Sequence, residues 1–405
     1  MKKWANLFLS NFLGVFNDNF LKNAIIFVAI AWKLPAWMTQ SQLISIVSAS
    51  LVLPYILLSP YAGKLTLKYS KHSIFIFFKL LEIPIMLLAS IAFLFNWVAL
   101  AIVAIFLMGI QSCLYSPAKY GLIRDIGGKD GSAFGSGVFE SMAFSGILFG
   151  TVAASFISDY GNNYVFIGLF LLVAIAGYIA TLKIKVSEVS NEADDLNQFG
   201  VNPLTFLLRT YKFAKLHQGL NEAVYGVSAF WLIGAMLQMN IIIHTTGHLH
   251  LSNTNAGLVM ALTAIGIGIG TWLSGLLLKK VNELVLKVFG LLMMIFTMLC
   301  IIFMNPGFLF FAVLIFLTAM GGGFYQIPNL TFIQKSDAGH NLGVVLAYMN
   351  LCIFLFVLVG TLLFSLITYL TDENSLAVFG TIVCIALVVT FLNFRQTFSL
   401  NKNNC

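Results

Sequence analysis

Hydrophobic residues run along this chain in long continuous stretches that are separated by short polar segments. Strands of a membrane barrel would alternate apolar and polar residues over segments of about ten residues, and these stretches do not alternate. A helix needs roughly 20 apolar residues to cross a bilayer. We therefore predict an all-α integral membrane protein with twelve transmembrane helices, at about residues 6–32, 41–63, 73–95, 97–118, 133–157, 163–182, 220–245, 255–278, 284–304, 307–329, 342–369 and 375–395.

The composition leads to the same class. Of the 405 residues, 60% are hydrophobic and 9% are charged, whereas a soluble domain contains about 25% charged residues. So few charges cannot cover a surface that faces water. The five cysteines show no metal or redox spacing, so we expect no cofactor and no metal. The net charge of +7 is interpreted as a topology signal of membrane loops, and we expect no nucleic-acid partner.

Basic residues are distributed unevenly between the two sets of loops. If the N-terminus is cytoplasmic, the outer loops contain only Lys33, and nearly all other Lys and Arg residues fall in inner segments. Lys22 and Lys79 are exceptions, because they lie inside predicted spans. The positive-inside rule then predicts that both termini are cytoplasmic.

One long connection divides the chain. Residues 1–182 form a first six-helix half, 183–219 a cytoplasmic linker, 220–395 a second six-helix half and 396–405 a cytoplasmic tail. Within the linker, the pair Asn202-Pro203 is typical of a helix start. Three basic residues follow at three-residue spacing beside several leucines, which predicts a basic amphipathic helix on the anionic inner leaflet.

The two halves repeat a sequence pattern. MGIQSCLYSPAKYGLIRD and FESMAFSGILFGT in the first half correspond to MGGGFYQIPNLTFIQKSD and YMNLCIFLFVLVGT in the second. The offset stays near 210–212 and pairs Met108 with Met320, Pro117 with Pro328, Glu140 with Asn350, and Gly150-Thr151 with Gly360-Thr361. Two six-helix halves in parallel repeat resemble the plan of the major facilitator superfamily. The resemblance implies that substrate lies between halves that rock around it.

Several longer motifs sharpen this resemblance. The stretches are NFLGVFNDNFLKNA from Asn11, YSPAKYGLIRDI from Tyr115, SGVFESMAFSGILFGTVAAS from Ser136, FWLIGAMLQ from Phe230 and GGGFYQIPN from Gly321. They are similar to the bacterial lysophospholipid transporter family, including transporters fused to acyltransferases. The resemblance implies a monomeric inner-membrane flippase that uses alternating access. It would move lysophospholipid, most simply lysophosphatidylethanolamine, to the inner leaflet, where a cytoplasmic acyltransferase acts on it.

The first span contains an acid and a base. Asp18 and Lys22 are four residues apart, on one helix face, and Asp18 lies near the middle of the bilayer. A charge there costs roughly 2.5–3.5 kcal/mol even on the lower scale, so this face is expected to look into a cavity. Two interpretations stay open: a self-neutralising pair, or contact with substrate or an ion. The resemblance favours substrate contact, and Asn19, between the two charged residues, is a further candidate substrate-binding residue.

Other candidate substrate-binding residues come from the motifs. Lys119 is either a topology lysine or, by the resemblance, a phosphate partner or gate residue. Glu140 either pairs with a basic residue of the adjacent loop or faces the cargo. Gln238 stands where some family members carry an Arg, and the GGGFYQIPN motif adds Tyr325 and Gln326.

Two further segments contain ionisable residues outside the candidate site. Glu82 precedes Pro84 and is interpreted as local structure in the third span. The HTTGHLH segment, with His244, His248 and His250, is interpreted as an outer loop, with a metal site as the weaker alternative. No His-x4-Asp or G-x-S-x-G motif occurs, which argues against an acyltransferase. A proton-coupled exporter of drugs or amphipathic metabolites is the main alternative function.

Overall fold

The computed structural model describes residues 3–28, 32, 34, 38–159, 163–186 and 198–403. Lys33, most of the acidic part of the linker and the end of the tail therefore lie outside the described residues. All regular structure in the described residues is helical. The α-helices are α1 (Ala5–Val28), α2 (Gln40–Lys68), α3 (Lys71–Phe95), α4 (Val98–Asp159), α5 (Asn163–Leu182), α6 (Pro203–Lys215), α7 (Leu220–Ile243), α8 (Asn253–Leu277), α9 (Glu283–Met304), α10 (Phe308–Lys335), α11 (Leu342–Leu370) and α12 (Ser375–Asn403).

Helix α4 contains two spans. It has 62 residues, which at 1.5 Å per residue is about 93 Å, far longer than one bilayer crossing. At Gly128 the backbone leaves helical geometry (φ 66°, ψ −172°), a conformation that essentially only glycine adopts. We call residues 98–127 the first arm of α4 and residues 129–159 its second arm. The predicted loop between the fourth and fifth spans is thus largely helical.

The described residues contain ten helices that are long and apolar enough to cross a membrane, with α4 counted once and α1 left out. Helix α1 is long enough, but five asparagines, Asp18 and Lys22 lower its hydropathy. With α1 included and α4 crossing twice, the described residues supply twelve spans. The predicted all-α membrane fold is confirmed.

The chain forms two compact units. The first contains Met1–Gly131, Met142–Ala214 and Asp337–Leu351, and the second contains Ser132–Ser141, Lys215–Ser336 and Cys352–Cys405. In the first unit, α5 packs against α1 and α3 around buried phenylalanines such as Phe20, Phe93 and Phe170. In the second unit, α10 packs against α7, α8 and α9, and α12 packs against α7 and α9.

The part of the linker that was predicted to form an amphipathic helix is α6. Asn202 Oδ1 accepts a hydrogen bond from the Leu204 amide at 2.9 Å, which is the cap expected from the sequence. The side facing the first unit buries Phe206, Thr210 and Ala214. The opposite side exposes Leu204, Leu208 and Tyr211 together with the basic residues Arg209, Lys212 and Lys215.

Candidate functional site

Asp18 is a partly exposed acid in the middle of α1. It lies thirteen residues after Ala5, about 20 Å along the helix. Ser112 Oγ, on the first arm of α4, is 3.0 and 3.2 Å from the two carboxylate oxygens and donates to them. The charges that act on Asp18 include Glu82, Lys119 and Lys79. The carboxylate is therefore held by one neutral donor within a strongly charged region.

Lys22 lies one turn beyond Asp18. Its amine donates to Asn19 Oδ1 at 3.4 Å, and Asn19 in turn donates to the Val15 carbonyl at 2.9 Å. Among the described residues, no ion pair of 4.0 Å or less joins Lys22 to Asp18. The amine is held by a neutral side chain, so contact within the pair does not neutralise the acid.

Lys119 makes a second polar contact between α1 and the first arm of α4, in addition to the contact of Ser112 with Asp18. Its amine donates to Asn11 Oδ1 at 3.3 Å and lies over the rings of Tyr115 and Tyr120. Asn11 precedes Asp18 by seven residues, and Lys119 follows Ser112 by seven. Seven residues are close to two helical turns. The two contacts therefore lie on the same face of each helix, and about 10 Å along the helix axis separates them.

The second unit contains the other predicted acid. Glu140 is buried, and Gln326 Nε2 lies 3.5 Å from its Oε2 and donates to it. Within the described part of the chain, the buried Gln326 Oε1 has no hydrogen-bond partner. Gln238 is exposed on α7.

Tyr325 is not brought together with Gln326 and Glu140. Its backbone faces Gly290 of α9, its carbonyl oxygen accepts a hydrogen bond from Asn329 Nδ2 at 2.9 Å, and its side chain is buried. The structure therefore places this predicted residue in helix packing, whereas its neighbour Gln326 contacts the acid.

The sequence analysis missed several polar residues of the first unit. Ser112 and Asn11 lay inside quoted motifs, where a hydroxyl and an amide in an apolar run were the available signal. Glu82 was interpreted as local structure, and that interpretation did not include its contact with another helix. Glu82 forms a fully buried ion pair with Lys79 and also accepts a hydrogen bond from Asn17 of α1 at 2.8 Å.

The histidine segment also differs from the outer loop that was expected. Helix α7 continues into a π-helical turn, His244–His248. His244 is buried, lies 2.9 Å from Ser375 Oγ through Nδ1 and stacks on His248. The described residues contain no group of three His, Cys, Asp or Glu side chains that could hold a metal ion.

Comparison with known proteins identifies the family. The family model described as Major Facilitator Superfamily matches residues 7–361 of the chain. The chain belongs to the major facilitator superfamily. A member of this superfamily with twelve apolar spans is a multi-pass membrane transporter.

Curated relatives cover most of this superfamily member. The lysophospholipid transporter LplT of Photorhabdus laumondii subsp. laumondii is 25% identical over 402 residues, which is 97% of this chain and 95% of the relative. LplT of Escherichia fergusonii is 26% identical over 348 residues, covering 85% of this chain and 83% of the relative.

Solved structures of the superfamily share the fold. The transporter FucP in the outward conformation gives a TM-score of 0.73 at 15% identity and covers 97% of both chains. The human organic anion transporter MFSD10 gives 0.76 at 12% identity, covering 96% of this chain and 99% of the other. At these identities the likeness concerns the fold alone.

Proposed function

We propose that this protein moves lysophospholipid, most simply lysophosphatidylethanolamine, from the outer to the inner leaflet of a bacterial inner membrane by alternating access. The observation that carries the proposal is the face of α1 on which Asn11, Asp18 and Lys22 lie. This face presents an acid and an amine at mid-membrane depth, where unmatched charges are costly. The names of the curated relatives support the same cargo class.

The chemistry of the cargo matches this face. Lysophosphatidylethanolamine has an ammonium, a phosphate and one acyl chain. The ammonium is matched to the carboxylate of Asp18, and the phosphate is matched to a lysine amine. Two carbon atoms separate the ammonium from the phosphate. That separation suits Lys22, one helical turn or about 5.4 Å from Asp18, better than Lys119 at about two turns.

The acyl chain requires an apolar surface that it can reach from the headgroup site. On the other side of α1, roughly 120–160° round the helix from Asp18, the partly exposed rings of Phe12 and Phe16 begin a row with centroids 6.2 Å apart. The row continues into the core at the buried ring of Phe20, 5.5 Å from Phe16. Phe149 from the second arm of α4 extends this row, 6.3 Å from Phe12. A polar face and an aromatic row on one helix suit a molecule with a zwitterionic head and a single hydrocarbon tail.

The product determines the enzyme that follows. A lysophospholipid delivered to the inner leaflet needs one acyl chain to become a bilayer lipid. A cytoplasmic acyltransferase is therefore the partner expected to consume it. Transport itself needs the conformational cycle of one monomer and no cofactor.

The test is reconstitution of the purified protein with labelled lysophosphatidylethanolamine, followed by extraction of label from one leaflet. Wild type is expected to move label faster than empty vesicles, and Asp18→Asn and Lys22→Ala are expected to slow it. Asp372→Asn is the matched control, because Asp372 is an exposed acid between α11 and α12. This control is expected to transport like wild type.

The outcomes separate the hypotheses. Wild type that moves no label above empty vesicles would contradict the lipid proposal. Dissipation of a pH gradient on addition of an amphipathic drug would then favour the proton-coupled exporter. Transport that Asp18→Asn and Lys22→Ala leave unchanged would retain the cargo and reject this face of α1 as its site. Formation of diacyl product by the protein alone would instead indicate an acyltransferase.

A further inference from the structure

A charged pair lies in α3, away from the face of α1 that carries the proposed site. Lys79 and Glu82 are three residues apart, form an ion pair and are both 0% exposed. Ionisable side chains inside membrane spans are rare and usually functional. Removing one partner of a buried pair leaves an unpaired charge, which strongly destabilises the fold.

The surrounding helices make room for the lysine amine. Gly14 of α1 and Gly177 of α5 both face it, because a Cβ atom on either glycine would lie 3.1 or 2.9 Å from Lys79 Nζ. The ion pair therefore lies where α1, α3 and α5 meet.

Asn17 connects this pair to the proposed site. Its side chain is fully buried, and its Nδ2 donates to Glu82 Oε1 at 2.8 Å, whereas its Oδ1 has no hydrogen-bond partner among the residues that the structure describes. The contact with Glu82 is thus the polar contact that holds this side chain. Asp18 follows Asn17 directly and points about 100° further round the helix. Fixing Asn17 against α3 therefore fixes the direction in which Asp18 points.

A second set of contacts connects Asp18 to α3 through the first arm of α4. Ser112, the donor to Asp18, directly follows Gln111 in the first arm of α4, and Gln111 Nε2 donates to the Phe78 carbonyl of α3 at 2.9 Å. Two consecutive residues of α1 are thus connected to α3 at positions one turn apart: Asn17 contacts Glu82 directly, and Asp18 is connected to Phe78 through the first arm of α4.

We propose that Glu82 is a positioning residue for transport: through Asn17 it sets the rotation of α1 and thereby directs Asp18 toward Ser112. The essential feature of Glu82 is its acceptor oxygen, and Lys79 neutralises the carboxylate that supplies it. The structural part of this inference stands on the contacts themselves. Its consequence for transport rests on the proposed function.

Cross-linking measures the direction of Asp18 without transport. Asp18→Cys and Ser112→Cys are introduced into a chain whose native cysteines are replaced, and a short thiol cross-linker joins α1 to α4. Lys79→Met with Glu82→Gln removes both charges but keeps a carbonyl acceptor for Asn17, so cross-linking is expected to stay at the background level. Lys79→Met with Glu82→Leu removes the acceptor, and cross-linking is expected to fall several-fold.

Two further variants keep the test decisive. Asn17→Leu removes the donor while leaving the ion pair intact, and it is expected to lower cross-linking as Lys79→Met with Glu82→Leu does. It therefore still tests the inference if the double variant does not accumulate. Ser90→Ala is the matched control, because Ser90 is buried on α3 and bonds only the Met86 carbonyl of its own helix. It is expected to leave cross-linking unchanged.

Transport kinetics then measure how the direction of Asp18 affects cargo binding. In the otherwise native chain, Asn17→Leu is expected to raise the KM for lysophosphatidylethanolamine several-fold, because a misdirected acid weakens binding. A pair needed only for folding would lower the amount of protein and leave KM and cross-linking unchanged.

The outcomes also separate this inference from the proposed function. Full cross-linking both in Asn17→Leu and in Lys79→Met with Glu82→Leu would overturn the positioning role. Cross-linking that depends on Glu82 and Asn17 in a protein that moves no lysolipid would keep the positioning role and reject the cargo.

Discussion

The two lysines that accompany Asp18 differ in their distance from it, and this difference predicts different kinetic effects. Lys22 is one turn from the acid and Lys119 about two turns from it across the α1–α4 contact. If one headgroup spans Asp18 and Lys22, Lys22→Met removes a charge-assisted contact of about 1.5–3 kcal/mol. The KM for the cargo is then expected to rise by about 10- to 100-fold.

Lys119→Met is expected to behave differently. An interaction made only as the cargo moves toward the inner end contributes to the rate and not to initial binding, so Vmax is expected to fall while KM changes little. Initial rates of label movement against cargo concentration measure both variants. Lys119→Arg, which keeps the charge, is the control, and unchanged kinetics in Lys119→Met would identify a topology lysine.

Single residues divide into those that the sequence can reveal and those that it cannot. Asp18 could be predicted because an acid in an apolar run is unusual on any helix. The role of Glu82 could not, because its contact with Asn17 joins residues 65 positions apart. Lys22 could be singled out for the same reason as Asp18, but its contact with Asn19 and not with Asp18 depends on side-chain geometry that the sequence does not contain.

Close packing of α1 against the second arm of α4 depends on glycine. A Cβ atom on Gly150 would lie 2.5 Å from the Phe16 carbonyl oxygen and 3.1 Å from the Phe20 amide. Gly150→Ala must therefore push the two helices apart, which is expected to destabilise the protein by about 1–3 kcal/mol. Thermal unfolding of the purified protein measures the change.

Gly168 is the matched control for this substitution. It lies in α5, and an added Cβ there meets nothing within 4 Å. Gly168→Ala is expected to leave stability unchanged or to raise it by up to about 1 kcal/mol, because alanine favours helix. Equal melting temperatures for the two variants would show that the α1–α4 contact tolerates separation.

The boundaries of helices were predicted well where hydrophobicity alone determines them. The boundaries of α5 and α11 agree closely with the predicted spans because lipid-facing length fixes them. The continuation of α4 to Gly128 and the π-helical turn after α7 were missed. Both depend on local backbone geometry and tertiary contacts, such as His244 with Ser375, that leave little trace in the hydrophobic pattern.

At the scale of the whole molecule, the repeat predicted two halves, and two compact units are observed with different membership. Asp337–Leu351 belongs to the first unit, where Asn350 Nδ2 donates to Ser116 Oγ at 2.9 Å. An internal repeat reveals that two segments fold alike. It does not reveal which side chains each segment packs against, so this assignment could not be made from the sequence.

The charge distribution predicts the orientation of the whole protein in the membrane. Lysine-rich connections such as Lys279-Lys280 are expected inside, and the acidic turn with Asp372 and Glu373 outside. In a cysteine-free chain, an impermeant maleimide added to intact spheroplasts is expected to label Glu373→Cys at once. Lys280→Cys is the matched position, because both residues are exposed, and it is expected to react only after permeabilisation. The reverse pattern would contradict the predicted cytoplasmic termini, and Lys119 would then lie near the outer end of its span, where it could not act late in movement toward the inner leaflet.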